Sequence, residues 1–196
     1  MFVLPGFTRQ PRHLATFVGE CETHSWRVQA IGLAPPLFPI LYMFPSHLRA
    51  IADSMRLQAA GAPIVIVGHS AGAAAGVYIT ARLRYLGADV RGLVIVDGVD
   101  SPNHLIRRNL SKLSGLRIAA VLAPPSPCNR QGLLATDLRE QPEVRVEIVP
   151  GAGHGDIEGA GISMYRRVCK DSSSAETAAR FRDRVRASVE WVLGEA

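Results

Sequence analysis

The sequence predicts an α/β fold: an open, mostly parallel sheet with helices on both faces. Three observations carry that reading. Short apolar runs alternate with stretches of helical periodicity along the chain, the rhythm of repeated strand–helix–strand units. The runs are continuously apolar and β-branched, as in strands buried on both faces; Ile64–Val67 reads IVIV and Leu93–Val96 reads LVIV. The length, 196 residues, suits one domain over 1–196 at roughly 100–200 residues per domain.

The elements follow in order. Phe2–Leu4 is a buried strand ended by Pro5-Gly6. Pro11–Glu22 carries Leu14, Phe17 and Val18 at helical spacing, and Arg27–Ile31 reads as a strand. Ser46–Ala60 places Leu48, Ile51, Ala52, Met55 and Ala59 on one helical face, with Ser46 as N-cap. After the strand Ile64–Val67 comes a helix, Ser70–Leu86, small at its start and ended by Gly87. Strands are predicted at Leu93–Val96, Ile118–Leu122 and Val144–Val149, and a helix at Gln131–Glu140. Ala175–Leu193 is a long amphipathic helix ended by Gly194. No internal repeat and no Gly/Ser linker interrupts the series.

Composition excludes several classes. With 47% hydrophobic and 20% charged residues, the chain is not disordered. No apolar run reaches the roughly 18 residues of a membrane span; the most apolar stretch, Ile31–Phe44, is broken by Pro35, Pro36 and Pro39. The N-terminus has no basic region or cleavage pattern and reads as mature structure. Three Cys (Cys21, Cys128 and Cys169), an odd number without CxxC spacing, predict neither a disulfide framework nor a zinc site. A reducing cytoplasm is therefore the expected compartment. The net charge of +5 is carried almost wholly by Arg, with Lys only at Lys112 and Lys170. It reflects either a coding bias or an acidic partner. No basic run is interleaved with aromatics, so no nucleic-acid partner is expected.

In open parallel sheets, chemistry sits just beyond the carboxyl ends of the strands. After Ile64–Val67 stands Gly68-His69-Ser70-Ala71-Gly72, a G-x-S-x-G between predicted strand and predicted helix. A sharp turn there lifts the Ser70 hydroxyl above the sheet at the positive end of the helix. Gly68 and Gly72 leave room for strand and helix to close up. The Ala71 N–H faces the place where an oxyanion would form.

A serine hydroxyl needs a base, and the base needs an orienting acid. Of the six His, His154 lies in Gly151-Ala152-Gly153-His154-Gly155, directly after the last predicted strand. His69 lies within the turn, its ring directed away from Ser70. His13, His24, His47 and His104 are read as surface or cap residues. The acid should fall between Ser70 and His154 in the chain. Asp97 is the first residue off the strand Leu93–Val96, with Asp100 as the alternative, whereas the strand Ile118–Leu122 is followed by no carboxylate until Asp137, inside a predicted helix. The turn after the first strand, Leu4–Thr8, is placed to supply a second oxyanion donor, the Phe7 N–H. Phe7 itself either walls the site or is a core residue.

These stretches resemble a known family. IVIVGHSAG at Ile64–Gly72, then LRYLGADVRGLVIVD at Leu83–Asp97, together with FVLPG at Phe2–Gly6, are similar to the α/β-hydrolase thioesterases of polyketide and nonribosomal peptide assembly lines. The resemblance runs from Phe2 to about Asp156 and again along the C-terminal helix. It implies a minimal α/β-hydrolase fold and a serine hydrolase without metal or organic cofactor. The implied roles are Ser70 as nucleophile, His154 as base, Asp97 as acid, and the Phe7 and Ala71 amides as oxyanion hole. It further implies an acyl ester or thioester substrate, which an acidic acyl or peptidyl carrier protein could deliver. A carboxylesterase of small or lipid esters is the nearest alternative, and a non-catalytic binding protein on the same scaffold is the other.

Three features depart from the family pattern or stand outside it. Ser101–Gly115 holds at most one helix, so little or no lid is expected. The loop Pro124–Arg130 brings Cys128, Asn129 and Arg130 to the active side of the sheet, where they either touch substrate or belong to a proline-stiffened loop. The apolar loop Leu33–Pro45 either walls a substrate groove or packs against its own helix.

Overall fold

The computed structural model describes residues 1–24, 26–159 and 163–195. Among these residues, six strands and seven α-helices follow one another in order: β1 (Phe2–Leu4), α1 (Ala15–Glu22), β2 (Gln29–Ala30), α2 (Pro45–Ala59), β3 (Ile64–His69), α3 (Ala71–Tyr85), β4 (Val90–Val96), α4 (Leu105–Leu110), β5 (Arg117–Leu122), α5 (Leu133–Arg139), β6 (Val144–Ile148), α6 (Ser163–Val168) and α7 (Ala175–Leu193). All pairings are parallel, in the order β2-β1-β3-β4-β5-β6.

Because strand side chains alternate between faces, the IVIV run of β3 feeds two cores. Ile64 and Ile66 join Leu48 and Met55 of α2 and Ile79 and Leu83 of α3 on one face. Val65 and Val67 join Phe17 of α1 and Phe181, Val185 and Val189 of α7 on the other. The central strands β3, β4 and β5 are thereby buried on both sides, which is why their runs lack polar alternation.

The order also locates the crevice. From β1 the chain steps outward to β2, then crosses back to β3 and continues the other way. Strand order reverses between β1 and β3, and at such a reversal the loops diverge and leave an opening. The segment between β4 and β5 holds α4 and one 3-10 turn, Ser111–Leu113, and among the described residues inserts no helical lid there.

Four local expectations are corrected. The second strand shrinks to Gln29–Ala30, an edge strand beside the three-residue β1. Ser46 does not cap α2; Pro45 is its first residue, where a missing N–H leaves nothing unpaired. Within Leu33–Pro45, residues Pro39–Met43 form a 3-10 helix, and α6 arises where no element was foreseen. Finally, Cys128 and Cys169 are joined by a disulfide, their Cα atoms 5.0 Å apart. Their 41-residue separation carries no local signal; parallel strand ends bring the two loops together. The argument for a reducing compartment, which rested on unpaired cysteines, falls with that pairing. Cys21 is a core residue, and burial pushes its thiol up to about 12. Among the described residues, no helix is long and apolar enough to cross a membrane.

Candidate active site

Ser70 sits where β3 becomes α3, on the strand-order reversal. Its backbone is at φ 54 and ψ −122, a conformation costly for a residue with a Cβ. Two bonds to the neighbouring strand hold it: the Ser70 N–H donates to the Val96 carbonyl at 3.0 Å, and the Val99 N–H donates to the Ser70 carbonyl at 3.1 Å. The turn also needs close backbone approach. A Cβ on Gly72 would stand 2.5 Å from the Leu4 and Pro5 carbonyl oxygens, and one on Gly68 would stand 2.6 Å from the Gly72 oxygen. Only glycine fits at either place.

Asp97 leaves β4 at φ 39, with its N–H donated to the Val121 carbonyl at 2.8 Å, so the sheet itself sets its position. The carboxylate is 1% exposed. Its Oδ1 accepts from the Ala123 N–H at 3.0 Å and from Nδ2 of Asn129 at 3.1 Å. Its Oδ2 lies 2.6 Å from Nδ1 of His154, and Nε2 of His154 lies 3.0 Å from Ser70 Oγ. With Nδ1–H donated to an acceptor-only carboxylate, Nε2 is left with its lone pair toward the hydroxyl. The structure thus brings Ser70, His154 and Asp97 into one buried hydrogen-bonded line. Such a line can take a proton from the hydroxyl and hold the resulting imidazolium against a carboxylate.

Neither alternative acid approaches His154. The Asp100 carboxylate accepts from the Ile106 N–H at the start of α4, and Asp137 pairs with Arg107. Asp156 instead stiffens the histidine loop, accepting from the Gly153 N–H at 2.8 Å and from Ser173. Burial raises the Asp156 carboxyl above its ordinary range.

His69 lies behind His154, the ring centroids 5.0 Å apart, and its Nε2–H donates to the His154 carbonyl at 2.8 Å. Its Nδ1 is buried and makes no hydrogen bond in the described structure. Burial first, and the neighbouring imidazole second, push it down to about 4. His69 therefore supports the loop as a neutral ring. His24 and His104 are exposed, while His13 and His47 bond to the Gln10 N–H and the Leu33 carbonyl.

A network that sequence reasoning missed lies beneath this pair. Arg9 grips both oxygens of Glu158, and the Tyr165 hydroxyl donates to Glu158 Oε1 at 2.8 Å. Arg9 follows the β1 turn and Glu158 follows His154, so the pair ties the turn beside Ser70 to the histidine loop. The Glu158 side chain is fully buried. The only sequence trace is a carboxylate four residues after His154, and nothing local pairs it with a residue 149 positions away.

The β1 turn closes through the Arg9 N–H to the Gly6 carbonyl at 3.1 Å, with Thr8 at φ 62. A Cβ on Gly6 would stand 3.5 Å from Ser70 Oγ, so the β1 turn abuts the hydroxyl. Ala71 opens α3, where a helix leaves its first N–H groups without intrahelical acceptors. Phe7 is half-exposed, edge-on to Tyr42 at 5.9 Å, and not a core residue. Together with Leu33, Pro35, Pro39, Tyr42 and Ala71 it lines a shallow surface groove, whose polar end is Thr8, Arg9 and Gln10. In the loop behind it, Leu33 and Tyr42 turn inward while Leu37, Phe38 and Ile40 stand in solvent.

The three loop residues expected at the substrate separate. Cys128 is taken up by the disulfide. Asn129, 3% exposed, spends its side chain on Asp97 and on its own loop. Of the two alternatives for this loop, these contacts favour the proline-stiffened loop for Cys128 and Asn129. Arg130 is exposed and lines a second opening with Gly98, Val99 and His104.

No family model matches the chain, and no curated protein matches its sequence. Solved structures do. The NocB thioesterase domain from the nocardicin cluster superposes with a TM-score of 0.60 at 16% identity, over 96% of this chain and 91% of that one. A pyrethroid hydrolase, PytH, gives 0.60 at 15% identity over 96% and 98%. A protein of Xanthomonas campestris described as a hydrolase of the α/β superfamily gives 0.56 at 13% identity over 95% and 97%. What they share with this chain is the α/β-hydrolase fold.

Proposed function

We propose that this protein is a serine hydrolase that cleaves an ester or thioester through an acyl-enzyme. The observation that carries the reading is the pair of contacts on His154: Nε2 at 3.0 Å from Ser70 Oγ and Nδ1 at 2.6 Å from Asp97. In this reading Ser70 attacks the carbonyl while His154 takes its proton and Asp97 stabilises the imidazolium. The Phe7 and Ala71 amides hold the oxyanion. His154 then returns the proton to the leaving oxygen or sulfur, and water, activated by the same base, releases the acid. The groove beside Ala71 receives the acyl part.

The likeness to the NocB thioesterase domain favours a thioester, and the +5 charge suits an acidic acyl or peptidyl carrier protein as its bearer. A second reading, carboxylesterase action on free apolar esters, is favoured by the uncovered groove and the short segment between β4 and β5. Parallel kinetics on butyryl-N-acetylcysteamine and p-nitrophenyl butyrate separate the two. A fluorophosphonate probe tests the common chemistry. Stoichiometric labelling that maps to Ser70 supports it, and no labelling assigns the chain to the non-catalytic binding alternative.

A further inference from the structure

Two loops must hold still for acid and base to meet, and one covalent bond joins them. The loop after β5, which reaches across to the acid at the end of β4, is knotted around Asn129. Besides Asp97, Nδ2 donates to the Pro124 carbonyl at 2.9 Å, and Oδ1 accepts from the Ser126 and Gly132 N–H groups at 2.8 and 3.0 Å. Arg130 and Gln131 sit at φ 53 and 57, a path their side chains do not favour. The loop therefore depends on those bonds and on its anchor. That anchor is the preceding residue, Cys128, bonded to Cys169 just beyond α6. Two residues past Cys169, Asp171 accepts from the Gly155 N–H at 3.1 Å, immediately after His154. Among the described residues, no hydrogen bond joins loop 124–132 to segment 165–171; the disulfide does.

We propose that Asn129 is a positioning residue for Asp97 and that the Cys128–Cys169 disulfide clamps it, so that the site is competent with the bridge closed and impaired with it open. The proposal rests on the reading of Ser70, His154 and Asp97 as a hydrolytic triad. Asn129 fixes the carboxylate through Nδ2, which lies 3.1 Å from Oδ1 and 3.4 Å from Oδ2, the oxygen that meets His154 Nδ1. Once the bridge opens, the loop that carries Asn129 and the segment that carries Asp171 move independently, and the side-chain bonds that support the 2.6 Å contact from its two sides loosen. Opening needs a reductant of the dithiol class. The S–S bond takes up two electrons and two protons to give two thiols, and the dithiol becomes a disulfide. Cys128 is partly exposed, which gives the reductant its approach.

The test uses the full chain, with p-nitrophenyl butyrate for turnover and a fluorophosphonate for labelling. Both are followed in the oxidised protein, after dithiothreitol, and after reoxidation, with circular dichroism as a check on folding. Reduction should lower kcat by about tenfold or more with KM unchanged, slow labelling in parallel, and reverse on reoxidation. In the oxidised protein, Asn129→Ala should lower kcat by up to about 10²-fold at unchanged KM, the scale of loss when a catalytic group is misplaced by about 1 Å. A Cys128→Ser/Cys169→Ser double variant should start low and ignore dithiothreitol; if it does not fold, the other two arms decide. A folded reduced protein with undiminished kcat overturns the clamp. So does reduction that unfolds the chain, and so does Asn129→Ala with normal kcat. Oxidised protein that neither labels nor turns over instead contradicts the hydrolase reading, and the clamp falls with it.

Discussion

Asp97 and His154 are 57 residues apart in the chain, yet Oδ2 of one lies 2.6 Å from Nδ1 of the other, with both side chains almost fully buried. Two parallel strands with β5 between them, β4 and β6, make that contact. Asp97 is the first residue off β4, and the loop of His154 follows β6, so both stand on the same edge of the sheet. The carboxylate has two further donors, on Ala123 and Asn129, which fix its plane. Replacing Asp97 by Asn would put an amide opposite Nδ1 and select the wrong imidazole tautomer. Such a change costs about 10⁴ in kcat where it has been measured in a serine protease. Asp97→Asn should therefore lose kcat on that scale with KM little changed, in steady-state kinetics on p-nitrophenyl butyrate. Asp100→Asn and Asp137→Asn, whose carboxylates face α4, should keep near-normal kcat.

His69 predicts how stability depends on pH. Its folded pKa is pushed down to about 4, first by burial, whereas an unfolded histidine titrates near 6.5. Between those values the unfolded chain binds the extra proton, so stability falls as pH drops from about 6.5 to about 4 and is unaffected above. At pH 4.5 the loss from this residue is about 2 to 3 kcal/mol. Urea unfolding at pH 7 and pH 4.5, compared between the parent and His69→Gln, isolates it. The variant should show a smaller acid loss by that amount; an equal loss in both proteins contradicts the assignment.

Gly6 predicts a steric sensitivity of the hydroxyl. A Cβ there would stand 3.1 Å from the Ser70 Cβ, closer than the two atoms sit comfortably, so Ser70 must give way. Misplacing a reacting group by about 1 Å can lower rates by about 10²-fold. Gly6→Ala should leave the fold intact by circular dichroism while kcat/KM drops by about that much. Unchanged kcat/KM would mean that the β1 turn does not abut the reacting centre.

Much of this was legible in the chain, and what was not has a common cause. The IVIV and LVIV runs gave away the central strands because burial on both faces permits no polar residue. Gly68 and Gly72 marked the turn at Ser70 because only glycine tolerates carbonyls 2.5–2.6 Å from the would-be Cβ. Asp97 and His154 could be placed because strand ends fix the first residues that follow them. The edge strand Gln29–Ala30 was overdrawn, since short edge strands carry little burial pattern. Asn129, Glu158 and the Cys128–Cys169 pair could not be placed. Each acts through a partner at least 32 residues away, and no local spacing encodes such a meeting.

The central claim is that Ser70 is the nucleophile, and one comparison tests it most directly. Ser70→Ala removes only the hydroxyl oxygen from a turn whose backbone is held by Val96 and Val99, so the fold should persist. Turnover of p-nitrophenyl butyrate is then measured in parent and variant under identical conditions. The account predicts a loss of about 10⁴–10⁶ in kcat, because a triad without its nucleophile retains only the catalysis of the oxyanion hole and binding. A folded Ser70→Ala protein that hydrolyses the ester at near-parent rates would contradict the account outright.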